Sequence, residues 1–161
     1  MSHSSTDPAH FKSTLGRFAS GVTVITTHGA DGRDHGMTLS AFSALSLDPP
    51  LVLVCIGDAA SIAGAMATAE CFAVNILAED QEQLSRRFSA KGEERFENIE
   101  MTRGANGVPL LNRALAQVQC RVTARYAGGD HTIVVGEVIA TSSREGRPLL
   151  YYCGGYTRLD R

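Results

Sequence analysis

The apolar positions of this chain follow two periods, and each period marks a different kind of element. Phe11, Leu15 and Phe18 recur at i, i+4 and i+7 behind Asp7-Pro8. That stripe predicts a short helix with Asp7 as its cap and Pro8 at the first turn, ended by Ser20-Gly21. Val22 to Thr27 is apolar or β-branched throughout and reads as a strand, followed by a hairpin loop over 28–36 around Asp31-Gly32. A second strand is expected from Met37 to Leu47, stopped by Asp48-Pro49-Pro50. Leu51 to Ile56 is apolar at every position, as in a strand covered on both faces, one of them by a subunit partner. An alanine-rich helix over 59–69, capped by Asp58, a strand over Cys71–Leu77 and a helix over Asp80–Ser89 follow. That last helix sets Leu84 and Phe88 one turn apart.

Residues 90–113 lack a period and read as a long connection with a short strand near Ile99. The clearest signal is the alternation of Ala116, Val118, Cys120, Val122, Ala124 and Tyr126 with Gln117, Gln119, Arg121, Thr123 and Arg125, a half-exposed strand. It turns at Gly128-Gly129-Asp130 and returns over His131–Thr141; one or two short strands close the chain from Leu149 to Leu159. Six or seven strands with short connections, about three helices and no βαβ alternation predict a mainly β fold, an antiparallel barrel decorated by helices. Without internal repeats or a linker, residues 8–161 form one domain behind a polar, disordered tail over 1–7.

Composition narrows the function classes. At 161 residues with a net charge of −2, the chain has no basic field for nucleic acid. Nor has it an apolar run long enough for a membrane span or a secretory signal. Cys55, Cys71, Cys120 and Cys153 lie in apolar runs without CxxC spacing, which suits reduced, buried thiols in the cytoplasm. There is no GxGxxG between strand and helix, no GxSxG, and no histidine at metal-ligand spacing, so no metal is expected.

The candidate chemistry sits in Gly36-Met-Thr-Leu-Ser-Ala-Phe-Ser43, where small hydroxylated residues offer donors with little bulk. Asn75, on a buried strand, either satisfies backbone groups or reaches a bound ring. Read with Ser46-Leu-Asp-Pro-Pro-Leu-Val-Leu-Val-Cys55, Phe18-Ala-Ser-Gly-Val-Thr-Val-Ile25, Phe72-Ala-Val-Asn-Ile-Leu77, Leu84-Ser-Arg-Arg-Phe88 and Gly129-Asp-His131, this stretch resembles the short-chain flavin reductase family along residues 8 to 158. These are the reductase components of two-component flavin monooxygenases.

The resemblance implies an FMN-binding, Greek-key split β-barrel, usually homodimeric. It implies FAD or FMN as cofactor and NADH, or NADPH, as hydride donor, with reduced flavin passed to a partner monooxygenase. By resemblance, Met37, Thr38, Ser40, Ala41 and Ser43 line the isoalloxazine and ribityl chain, and Cys55 presents a small side chain to the ring. Phe88 and Arg87 lie near the phosphates or adenine, while His131 and Tyr156 flank the nicotinamide, His131 in the catalytic role. One departure stands out. Where relatives carry a basic, hydroxyl-rich stretch for the flavin phosphate, this chain has Gly57-Asp-Ala-Ala-Ser-Ile62. Ser61, the backbone N–H groups at the following helix start and Arg87 are then expected to hold the phosphate. The alternatives are a flavin-retaining electron carrier or oxidase on the same barrel, and an interaction module without flavin.

Overall fold

The computed structural model describes residues 6–92 and 94–160. Its helices are α1 (Pro8–Leu15), α2 (Ala63–Thr68) and α3 (Glu82–Ser89). Its strands are β1 (Ser20–Gly21), β2 (Thr23–His28), β3 (Asp34–Leu39), β4 (Phe42–Leu47), β5 (Pro50–Gly57) and β6 (Cys71–Ile76), then β7 (Met101–Arg103), β8 (Pro109–Leu111), β9 (Ala116–Gly128), β10 (His131–Ser143), β11 (Leu150–Tyr152) and β12 (Gly155–Thr157). The fold is mainly β, with three helices and antiparallel pairing.

Seven strands form one sheet in the order β3-β2-β6-β9-β10-β5-β4. Its two edge strands, β3 and β4, are separated in sequence only by Ser40 and Ala41. Laid flat at ~4.8 Å per strand, the edges would stand roughly 29 Å apart. The link from Leu39 to Phe42 spans at most about 11 Å. The sheet therefore curls enough to bring the end of β3 and the start of β4 within that distance, and the Cys55 N–H of β5 donates to the Ala41 carbonyl of the link at 3.0 Å.

Ile25, Val54, Ile56, Phe72, Val74, Cys120 and Val134, drawn from five strands, meet in one buried cluster with Ile62 and Met66 of the α2 segment. The packing is tight enough that a Cβ at Gly136 would lie 2.7 Å from the Phe72 ring and from Cys120. Thr23, Thr26 and Thr27 are buried as well, and each hydroxyl donates to a backbone carbonyl, which removes the cost of burying it. A second cluster lies under α3, where Phe88 packs with Val22, Val24, Leu77, Leu111 and Leu149.

Several expectations from the sequence are corrected. The strand expected over 37–47 is two strands, because the chain must turn at Ser40-Ala41 to pass from one sheet edge to the other. The helix expected from Ala59 begins at Ala63, without a side-chain cap; Asp58 instead accepts from the Thr132 hydroxyl at 3.0 Å. The long connection over 90–113 holds a small β7–β8 pair, which half-covers Gln117 and Gln119 on the face expected to be wet. Cys153 lies exposed in the β11–β12 turn at φ 48°, not in a buried run. Asp7 does cap α1, its carboxylate accepting from the His10 N–H at 2.9 Å, but no residue of α1 is buried. Of the tail expected to be disordered, residues 1–5 lie outside the described residues.

Candidate active site

Strand β3 has α3 lying on one side and the sheet interior on the other. Because side chains alternate along a strand, Gly36, Thr38 and Ser40 share the face toward α3, and Met37 and Leu39 turn into the core cluster. Only glycine fits at 36, since a Cβ there would lie 2.7 Å from the Phe88 ring and 2.9 Å from Phe96. That close approach brings the α3 backbone within reach of Thr38, whose hydroxyl donates to the Ser85 carbonyl at 2.6 Å.

Ser85, fully buried, is the hinge point of the site. Its hydroxyl shares a 2.7 Å hydrogen bond with the Tyr156 hydroxyl, and its carbonyl also accepts from Ser89 at 2.9 Å. Tyr156 is fixed further by an edge contact with Tyr151, centroids 5.4 Å apart, and by the Arg86 guanidinium 4.8 Å over its ring. The result is a cleft of about 170 Å³ lined by Val22, Thr38, Leu39, Ser40, Ser89, Tyr151 and Tyr156. It has a hydroxylated floor and an aromatic wall, the lining that a flat, polar ring system requires.

The other expected residues fall elsewhere. Ala41 and Ser43 are exposed at the corner joining the sheet edges, and the Ser43 hydroxyl donates to the Ala44 carbonyl. Cys55, half-buried, lies behind that corner on the outer face of β5. His131, at the start of β10, is paired with Gly57, so it lies two positions from Cys55 on the same face. Its Nδ1 is 2.7 Å from a carboxylate oxygen of Asp130, and that hydrogen bond together with the charge attraction holds the Asp130 carboxyl below the usual range.

Three further expected residues make their contacts within the protein. Asn75 is fully buried: its amide donates to the Val24 carbonyl at 3.0 Å and the Thr26 hydroxyl at 3.1 Å, and its oxygen accepts from the Leu111 N–H at 2.9 Å. Both amide N–H groups and the oxygen are used in joining β2, β6 and β8. Phe88 is fully buried, its ring edge-on to Phe96 at 5.0 Å, so it is core. The Arg87 guanidinium donates to the carbonyls of Glu94, Arg95 and Glu97, bracing the loop after α3, and it lines a shallow pocket there.

Ser61 lines a separate pocket of about 180 Å³ with Arg33, Asp34, His35, Gly36, Gly92 and Arg95 among its walls. Arg95 is the residue the sequence reading missed. It lies in an aperiodic, charged run (KGEERF) in which nothing local distinguishes it from a solvated surface cation. Ser85 was likewise missed, a serine of unremarked helix phase until Tyr156 is placed beside it.

Comparison with known proteins bears on the family. The family model described as "Flavin reductase like domain" matches residues 15–160. The reductase subunit of a flavin-dependent monooxygenase from Rhodococcus jostii is 40% identical over 155 residues, covering 96% of this chain and 79% of that protein. An FMN reductase (NADH) of Agrobacterium fabrum is 40% identical over 151 residues, covering 94% and 86%. Among solved structures, the NADH:FAD oxidoreductase of Streptomyces globisporus in complex with NAD and FAD fragments superposes with a TM-score of 0.91 at 34% identity, covering 96% of this chain and 93% of that one. With a match running from the end of α1 to the last described residue, the chain belongs to the flavin reductase-like domain family.

Proposed function

We propose that this chain is an NAD(P)H-dependent flavin reductase that takes its electrons from NADH in preference to NADPH and supplies reduced FMN or FAD to a partner monooxygenase. Family membership along residues 15–160 carries the reading. The relatives named as NADH-dependent flavin reductase and as FMN reductase (NADH) give the reaction class and the donor. Those named as reductase components of monooxygenases give the destination of the flavin. When bound, the nicotinamide and flavin rings supply the hydride chemistry themselves.

The protein's part is position. Ser40 and Ala41 keep the corner low enough for a flat ring to approach the backbone, and Tyr156, locked by Ser85, forms a wall that does not move aside. His131 has the geometry of a positioning group: with Nδ1–H donated to Asp130, its Nε2 accepts a hydrogen bond from a carboxamide. No general acid or nucleophile is needed, so none of the polar groups in the cleft has to change protonation.

The finer fold assignment is an FMN-binding, Greek-key split β-barrel, supported by the two-residue join between the sheet's edges. A homodimer is supported by the apolar outer surface around Cys55, where Leu51, Leu53 and Ile133 are only half-covered, Leu45 is exposed and Tyr126 is 58% exposed. His131 stands at the rim of that surface, so a second copy would border the nicotinamide position. Free thiols at all four cysteines fit a cytoplasmic setting.

A turnover assay crossing NADH and NADPH with FMN, FAD and riboflavin tests the reading. NADH is consumed only when flavin is added, and excess free flavin is reduced catalytically; retention of one flavin without reduction of the excess identifies a carrier instead. His131→Ala lowers turnover about tenfold, the loss of one oriented hydrogen bond to the donor, without loss of flavin binding. A variant that loses flavin yet reduces what it binds at the normal rate overturns the role given to His131.

A further inference from the structure

We infer that Ser85, buried behind the cleft, is a positioning residue that fixes which way the cleft's hydroxyl protons point, leaving an acceptor at Thr38 and a donor at Tyr156. This rests on the flavin reductase reading above and goes beyond it, since stacking two rings requires no such polarity. Helix α3 buries Ser85 and Phe88 three residues apart, and the Phe88 ring seats against Gly36 of β3. That seat brings the Ser85 carbonyl to β3 and sets its hydroxyl beside Tyr156.

The protons can be assigned one by one. A carbonyl only accepts, so the 2.6 Å bond from the Thr38 hydroxyl to the Ser85 carbonyl uses the Thr38 proton. Among the described residues no group donates to the Thr38 Oγ1, so its lone pairs are left for what enters the cleft that it lines. The Ser89 hydroxyl, in the same lining, donates to the same carbonyl at 2.9 Å and presents a second acceptor. The Ser85 hydroxyl has one partner among the described residues, the Tyr156 hydroxyl at 2.7 Å. Were Tyr156 the donor, the Ser85 proton would be buried without an acceptor, which costs the full desolvation of that group. The Ser85 proton therefore goes to the Tyr156 Oη, and half-buried Tyr156 keeps its own proton for the cleft. Its ring is held by Tyr151 at the edge and by Arg86 over the face, which leaves the hydroxyl as the part that Ser85 orients.

Acceptors at Thr38 and Ser89 beside a donor at Tyr156 match a group that carries both an N–H and a C=O. The amide-like edge of a flavin and the carboxamide of a nicotinamide share that chemistry. An edge presented the other way sets its carbonyl against the Thr38 oxygen, two acceptors that repel, so fixed protons select one orientation. The Tyr156 proton is also strengthened as a donor, because its oxygen accepts from Ser85. Aimed at a ring oxygen that gains negative charge on reduction, it favours the reduced form over the oxidised one.

The test is a cycle of wild type, Ser85→Ala, Tyr156→Phe and the double variant, with Ser85→Cys as a nearly isosteric variant that keeps a weaker donor. Two readings separate the two sources of the amide-like group. If it belongs to the flavin, Ser85→Ala binds reduced FMN about tenfold more weakly relative to oxidised FMN, a potential lower by about 30 mV, with KM for NADH unchanged. If it belongs to the nicotinamide, KM for NADH rises about tenfold and the potential of bound FMN stays put. In either case Tyr156→Phe gives at least the same loss, and adding Ser85→Ala to it adds nothing, since Ser85 acts on the ligand through Tyr156. Ser85→Cys falls between and carries the test if Ser85→Ala fails to fold. A Ser85→Ala variant that melts lower but keeps both readings at wild-type values would overturn the inference, leaving Ser85 a packing residue. Losses that add in the double variant would overturn it too, and so would tighter binding in Ser85→Ala, which would mean that Tyr156 had been donating inward. A wild type that binds no flavin at all would instead overturn the functional reading itself.

Discussion

Helices α1 and α3 are each eight residues long, and each carries a large apolar pair at i, i+4: Phe11 with Leu15, and Leu84 with Phe88. Their fates differ. Phe88 is completely buried, whereas Phe11 and Leu15 are 52% and 57% exposed. Spacing fixes which residues share a helix face; what covers the face is decided elsewhere in the chain. For α3 the cover is β3, cut back to glycine at position 36, with Val22, Leu77, Leu111 and Leu149 around it. For α1 the described residues place the backbone of the C-terminal turn at its end, where the Cys153 N–H donates to the Gly16 carbonyl at 2.9 Å. The covered helix is the one that builds the cleft.

Removing the cover's key is the largest expected effect. Phe88→Ala costs about 3–5 kcal/mol, the range for emptying a buried aromatic site, and lowers the melting temperature by roughly 10 °C. Gly36→Ala, which sets a methyl 2.7 Å from the same ring, costs about 1–3 kcal/mol by overpacking. In the double variant the second cost falls, because the nearer of the two rings that met the methyl is gone and only Phe96, at 2.9 Å, remains; thermal unfolding of the four chains measures this coupling. Additive losses would mean that α3 does not lie on β3 as described.

Asn75 sharpens the contrast from the polar side. It faces the same interior as the strands around it, and its replacement by Ala leaves the Leu111 N–H without the Asn75 oxygen it donates to in a dry core. The expected loss is about 2–4 kcal/mol. Flavin affinity measured well below the melting temperature stays at its wild-type value. A selective loss of flavin without loss of stability would restore Asn75 to the ligand site.

Asn75, Phe88 and Arg87 also show where a linear reading stops. The strands were legible because alternation and β-branching are local: Cys71–Ile76, β9 and β10 are all visible in the apolar pattern. The hydroxylated stretch over 36–43 was legible as chemistry for the same reason. The edge-to-edge turn at Ser40-Ala41 was not, since nothing local says that two strands joined by two residues belong to opposite edges of a sheet. Ligand contact and core packing draw on the same residue types, so an asparagine on a strand or a phenylalanine at i+4 could not be sorted without knowing what lies opposite. Arg95 was invisible for the reverse reason: its bridging contacts are with Gly36 and Ser61, 59 and 34 residues away.

The smallest expected effect belongs to α1. Phe11→Lys with Leu15→Lys removes two large apolar side chains that bury little in the single chain, so folding stability shifts by no more than about 0.5 kcal/mol and the melting temperature by about 2 °C or less. The helix itself survives, held by the Asp7 cap and by lysine's good helix propensity. A fall comparable to that of Phe88→Ala would show that the stripe is covered in solution. Sedimentation of the same variant then says by what: a stripe buried by a second copy yields monomers, and one buried by its own chain leaves the assembly intact. Until a cover of that kind acts on it, an apolar stripe on this helix contributes surface and not core.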